Sequence, residues 1–409
     1  MTSDAIFQPY DQAFAANPYP VYAQLRAEHP VFASAEFGMT FFTRYRDIVR
    51  LLTDQRLGRT MDHLLDEAAL AEKRKSSDWA DLPAYNRYVR VNLLESEGPD
   101  HARIRRLLGQ ALQPKRVAEF RERIGHISQE LLDELLPRGQ MDFLADFAEL
   151  LPVAVIAELL GWPLEHRHRL RPWSAHIVRL YEKNHTEQDR QRAESATREF
   201  AAMIDDLARL RRRQPRDDLI SKLAATETIA DGLSRDELIA TCMLLLNAGH
   251  EATVNAAGNG LLALLRHPQQ MARLRRQPEL LEPAIEEMLR FDPPLHLFHR
   301  FVLEDLDFDG HELRRGDTVG LLYGSANRDP QAFPNPDNFD IGRKPNRHLA
   351  FGAATHFCLG APLARLELRT MLGDFARRTR SIELVDEQPA YHTGLVFRGL
   401  RELQIRYSV

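Results

Sequence analysis

The feature that most restricts this chain is one long helical pattern near its middle. Ser234 and Glu237 form a capping box, and the pattern that follows runs from Arg235 to about Arg266, before His267-Pro268. A helix of about 30 residues is roughly 45 Å long, enough to cross the whole molecule. Leu244, Asn247, Ala248, Glu251, Ala252 and Asn255 fall on one face of it. Ala248-Gly249 leaves a smooth spot on that face, where a flat ligand could approach the backbone. Glu251 interrupts an otherwise apolar stretch, and a buried carboxylate is costly unless it is paired or functional. A structural ion pair is the ordinary role for such a group. His250-Glu251 is half of a zinc-protease helix, but Val254 stands where the second histidine would be needed.

Around this helix the sequence reads as mainly α with small β-sheets, built as one domain over 1–409. The β-richer parts are about 20–60 and 295–325, and the helical core is about 99–290 and 359–380. Strands are expected near Val31–Ala33 and Thr40–Thr43, and helices over Val21–Glu28 and Arg44–Gln55. Residues 58–92 read as an irregular polar and aromatic stretch, either a mobile loop over a site or a solvated loop with a short helix. Helices follow at Arg103–Leu112, Val117–Leu136 and Pro152–Leu160. The 164–214 region is charged and helical, with Arg211 to Arg213 as a solvated basic cluster. Residues 327–347 are rich in Asn, Asp and Pro and read as coil.

Composition narrows the class of function. Charged residues make up 28% of the chain and the net charge is -5, which gives no case for nucleic acid as a partner. The two cysteines, 242 and 358, suggest no disulfide framework and point to a reducing compartment. No run approaches the ~18 apolar residues of a membrane span. The first residues lack a basic and then apolar leader. The expectation is a cytoplasmic, soluble monomer.

Cys358 is the residue best placed for chemistry. It lies in Phe351-Gly352-Ala353-Ala354-Thr355-His356-Phe357-Cys358-Leu359-Gly360, and a helix with Pro362 in its first turn opens just after it. A thiol at the positive end of a helix has a lowered pKa and is favoured as a thiolate ligand. A buried inert thiol is the plain alternative. Glu287 and Arg290 stand at i, i+3 on one helix, and Arg343 could join them and lock the coil that leads to Cys358. His101, Arg103, Arg105, Arg300 and His356 are candidate cationic or hydrogen-bonding groups.

Together these motifs resemble the cytochrome P450 family, specifically its soluble bacterial haem-thiolate monooxygenases, over almost the whole chain. The ligand loop matches at Phe351, Gly352, His356, Cys358 and Gly360, while Ala354 replaces a usual glycine. Glu287–Arg290 with Arg343 matches the family's Glu-x-x-Arg motif and its third member. Ala248-Gly249-His250-Glu251-Ala252-Thr253 resembles the oxygen-activation segment, but Ala252 stands where the family usually has Thr or Ser.

The resemblance implies a triangular, predominantly helical fold with haem b between the long helix and the cysteine loop. Cys358 is the implied iron ligand, and His101, Arg105, Arg300 and His356 are the implied propionate partners. Phe351 would pack beside the sulfur. Ala248 and Gly249 would flank the oxygen site, where the helix typically loosens its hydrogen bonding. Glu251 is the implied proton relay. Thr253 is rotated about 100° from Ala252 and should not replace its missing hydroxyl. The implied substrate wall is Leu244, Asn247, Ala248, Leu295, His296, Leu297, Phe298, Leu395 and Val396, with Asn247 and His296 as polar anchors. The implied reaction inserts one atom of O2 into a small or mid-sized apolar molecule. Electrons would come from NAD(P)H through an acidic ferredoxin docking near Arg106, Lys115, Arg116, Arg347, Arg365 and Arg369. A peroxide-driven enzyme, a non-catalytic haem sensor and a zinc protein using His356 and Cys358 are the competing readings.

Overall fold

The computed structural model describes residues 3–75, 77–89, 91–111, 114–227 and 231–409. The chain divides into two compact units. One comprises Met1–Leu57, Val117–Leu151 and Ala252–Val409, and the other Gly58–Arg116 and Pro152–Glu251.

In the first unit, strands Val31–Ser34, Met39–Phe42, Thr318–Leu322 and Leu297–Val302 lie side by side in that order. Most contacts are antiparallel, but Met39–Phe42 runs parallel to Thr318–Leu322, with Phe41 opposite Gly320. One face of this sheet meets an aromatic cluster of Phe7, Phe14, Tyr22, Phe32, Phe37 and Phe41. Its ring pairs are mostly edge-on, as with Phe7 and Phe41 at 5.1 Å, the arrangement that aromatic quadrupoles favour. A second sheet orders Gln140–Asp142, Gln404–Ser408 and Ser381–Leu384. Helices Arg121–Leu135 and Ala361–Arg378 pack together beside it.

Coil 327–347 is held by charge rather than by regular structure. Glu287 and Arg290 are fully buried. Arg290 donates to both Glu287 oxygens at 2.8 Å and to the carbonyls of Asn327 and Pro336. Arg343 donates to Glu287 at 3.1 Å and to the Pro334 carbonyl at 2.8 Å. The Asp340 amide and the Asn346 carboxamide also donate to Glu287. A buried charge is tolerable only with such full satisfaction.

The second unit is helical. Helix Glu187–Arg213 carries a full capping box between Thr186 and Asp189 and packs on Leu170–Val178 and Leu219–Thr226. Trp162, Trp173 and Phe200 form its aromatic centre, with the Trp173 and Phe200 rings stacked at 5.3 Å. Two expectations need correction here. Arg211 is not solvated. It is buried and donates to Asp218 at 2.5 Å and to the Gly161 carbonyl. The 58–92 stretch is more helical than its polarity suggested, with helices Glu67–Lys75 and Pro83–Val89.

The long helix runs Arg235–Arg266. Its start is capped as expected, with the Ser234 amide donating to Glu237 at 2.8 Å and the Glu237 amide to the Ser234 hydroxyl at 3.3 Å. It is α-helical throughout, so the loosening expected at Ala248-Gly249 is absent. Replacing Glu287 with Ala leaves the buried Arg290 guanidinium and the half-buried Arg343 without their carboxylate, and should lower the unfolding free energy by about 3–5 kcal/mol. Urea denaturation reads this directly, and a loss below about 1 kcal/mol would show that the cluster is dispensable.

Candidate active site

Cys358 lies three residues before helix Ala361–Arg378 and is half-buried. Its amide donates to the Phe351 carbonyl at 2.9 Å, which folds the loop back on itself. Gly352, at φ +68°, makes the required left-handed turn. Ala354 takes φ +57°, so the missing third glycine has a visible cost. An alanine there is strained by roughly 1–2 kcal/mol.

A second layer supports this loop. The Arg365 guanidinium lies 4.5 Å from the Phe351 ring centroid and grips Glu286 through two bonds of 2.7 Å. His348 adds a third contact to Glu286 at 3.1 Å. Burial opposes ionisation of Glu286, but these donors prevail and lower its pKa to about 2. Arg369 is likewise paired, with Glu282. Arg365 and Arg369 therefore do not present the open charges that the sequence suggested for docking. Arg106, Lys115 and Arg347 are exposed, and the Arg116 side chain lies outside the described residues.

Arg300 is buried in strand Leu297–Val302, with one N–H on the His299 carbonyl. His356 is half-buried in the turn before Cys358. In the second unit, His101 is buried and Arg105 half-buried, one turn apart on helix Gly98–Ala111. Within the first unit the donors fit haem: a soft sulfur at a helix start, with Arg300 and His356 as groups suited to carboxylates. Among the described residues, no cluster of three or more His, Cys, Asp or Glu is arranged to hold a bare metal ion. Ala248, halfway along the long helix, is exposed between buried Asn247 and half-buried Gly249.

The residues around Ala248 divide by direction. The missing side chain of Gly249 serves packing, because a Cβ would stand 3.0 Å from Ile156. Glu251 keeps 25% of its side chain exposed, with His250 Nδ1 3.4 Å away. Thr253 is buried and shares a hydrogen bond with Glu367, on the helix that follows Cys358. Sequence reading missed Glu367, which is 1% exposed and whose Oε1 has no partner among the described residues. Burial pushes its carboxyl up to about 8, against a smaller lowering by Thr253. Its signal was present, a carboxylate at i+4 from Leu363 and i−4 from Met371 on an apolar face.

The expected substrate wall needs revision. Leu297 and Leu395 belong to the aromatic core cluster. His296 is buried, 2.9 Å from the Tyr22 hydroxyl, and burial lowers its pKa to about 4. It is a neutral core histidine, not an anchor. Its neighbour Asp292 is bonded by Arg398, Tyr19 and Tyr391. Phe298 stacks on Tyr323. Leu295 and Val396 remain half-buried.

The family model described as Cytochrome P450 matches residues 164–401, more than half of the chain. The protein belongs to the cytochrome P450 family. It is 37% identical to the polyketide biosynthesis cytochrome P450 PksS of Bacillus subtilis, over 98% of this chain and 99% of that one. It is 38% identical to the vitamin D(3) 25-hydroxylase of Pseudonocardia autotrophica, over 97% and 95%. The crystal structure of P450BioI with a hexadec-9Z-enoic acid ligated acyl carrier protein superposes with a TM-score of 0.88. That match has 34% identity and covers 96% of this chain and 99% of the other. The P450 fold and the monooxygenase class follow, with haem, O2 and external electron donors as the family's requirements. No helix among the described residues is long and apolar enough to cross a membrane.

Two substitutions test this P450's site. Ala354→Gly relieves the left-handed strain, less the ~0.5–1 kcal/mol that glycine loses in chain entropy, so unfolding should become harder by about 0.5–1 kcal/mol. An unchanged or lowered melting temperature would contradict that reading. For Glu367, the folded state holds its proton up to about pH 8 while the unfolded chain releases it near 4.5. Stability therefore falls as pH rises through that window. Glu367→Gln removes the slope and should gain up to about 3 kcal/mol on the parent at pH 7. Parallel stability profiles from pH 5 to 9 would refute it.

Proposed function

We propose that this P450 inserts one atom of O2 into a small or mid-sized, largely apolar substrate in the cytoplasm. Electrons would come from NAD(P)H through an acidic ferredoxin. The observation that carries the reading is the folded ligand loop, with Cys358 half-buried at the start of a helix of 18 residues. Cys358 would hold the haem iron, and His101, Arg105, Arg300 and His356 would hold its propionates. Haem bound there supplies the oxygen-activating centre.

The chain's own residues supply binding and protons. Leu244 and Ala248 would offer apolar surface on the long helix, and Leu295 would offer it in the first unit, while Val396 packs against the aromatic cluster. The relatives' names, polyketide biosynthesis and vitamin D(3) 25-hydroxylation, support an apolar substrate of middling size. Arg106, Lys115 and Arg347 would steer an acidic donor, an attraction that weakens as salt rises.

Glu251 would move protons to the reacting oxygen through ordered water or a substrate hydroxyl. Its partial exposure supports exchange with solvent. Thr253 is turned to Glu367, which supports the view that it does not stand in for the hydroxyl missing at Ala252. Turnover should require ferredoxin, reductase and NAD(P)H, and turnover with peroxide alone at the same rate would overturn this reading. Glu251→Gln should cut coupled product formation at least about tenfold, while Thr253→Ala stays within about twofold. The reverse order would transfer the proton role to Thr253.

A further inference from the structure

Asn247 sits one residue before Ala248 on the long helix and is 3% exposed. It shares a side-chain hydrogen bond with Tyr181. Its Oδ1 accepts no hydrogen bond among the described residues. A buried amide oxygen left without a donor costs about 1–3 kcal/mol, and folded proteins keep such groups mainly where a ligand or water completes them.

The surroundings point to a ligand. Tyr181 is only half-buried by surface area, although it lies deep within packed atoms. Burial, with the nearby Glu95 charge, raises its pKa to about 12, so its hydroxyl stays protonated. Glu95 is itself held by buried Arg59, which also donates to the Leu94 carbonyl. Leu244, on the same face of the long helix one turn before Asn247, is half-buried and Ala248 is exposed. The polar pair, with the Arg59–Glu95 ion pair in its electrostatic surroundings, thus stands beside apolar side chains of the long helix that keep open surface. Small-molecule sites are built in this way, mostly apolar with a few placed polar groups.

We propose that Asn247, oriented by Tyr181, is a specificity subsite that accepts a hydrogen bond from a hydroxyl group of the substrate. This rests on the monooxygenase reading and narrows its substrate class to apolar molecules that already carry an alcohol. An ether or a hydrocarbon of the same shape would leave Oδ1 unpaired and forgo the bond.

The test uses the haem-loaded enzyme and two probes, 1-decanol and decyl methyl ether, which differ by the donor proton and one methyl group. Binding is read as the spin-state shift of the haem. The alcohol should bind about tenfold tighter than the ether, a difference of roughly one good hydrogen bond. Asn247→Leu should abolish that preference while still binding both probes, and Tyr181→Phe should reduce it. The carbon-monoxide band of the reduced enzyme checks each variant for an intact haem site. Equal affinities in the parent, a preference that survives Asn247→Leu, or no shift with either probe would each overturn the proposal. A parent enzyme lacking the thiolate-type band would instead overturn the haem-thiolate reading on which it rests.

Discussion

The buried carboxylate of Glu287 is the interaction on which the cysteine side of this protein depends. It accepts from two guanidinium groups, a backbone amide and a carboxamide. Three of those donors come from the Asp340–Asn346 part of the coil, which has little regular structure and no sheet to align it. Without that centre the coil would have many conformations, and the loop at Cys358 would lose its fixed approach. The energetic logic is asymmetric. The full cluster offsets its own desolvation, but a broken one leaves charge buried in a medium that cannot solvate it.

The neighbouring Glu286 acts beside it in a different way. It takes Arg365 and His348 and so places a cation over Phe351, whose carbonyl holds the Cys358 amide. Adjacent carboxylates on one helix therefore serve two tasks, one fixing the coil and the other bracing the ligand loop. The same pairing explains why basic residues near the cysteine are less available to a partner than their number suggests. Arg365 and Arg369 are already neutralised by Glu286 and Glu282.

What could be read from the sequence was local. The capping box at Ser234, the periodicity to Arg266, the Glu-x-x-Arg spacing and the glycines around Cys358 each depend on neighbours within a few turns. The residues that escaped depend on partners far along the chain. Arg211 looked solvated because Asp218 and the Gly161 carbonyl could not be placed beside it. His296 looked like a pocket anchor because Tyr22, 274 positions away, was invisible as its partner. Leu297 and Leu395 looked like pocket wall because an apolar residue reads alike in a core and in a cavity. Glu367 needed only a closer look at periodicity, but its link to Thr253 needed the fold. Ala354 could be marked as a departure, and its positive φ then gave that departure an energy.

The central claim is that Cys358 binds haem iron as a thiolate, and the reduced carbon-monoxide complex tests it most directly. The account expects the parent enzyme to show the red-shifted band of thiolate-bound haem, and Cys358→His to lose that band while the protein stays folded. A parent spectrum of the unshifted, histidine-ligated type, or a red-shifted band that survives Cys358→His, would contradict it.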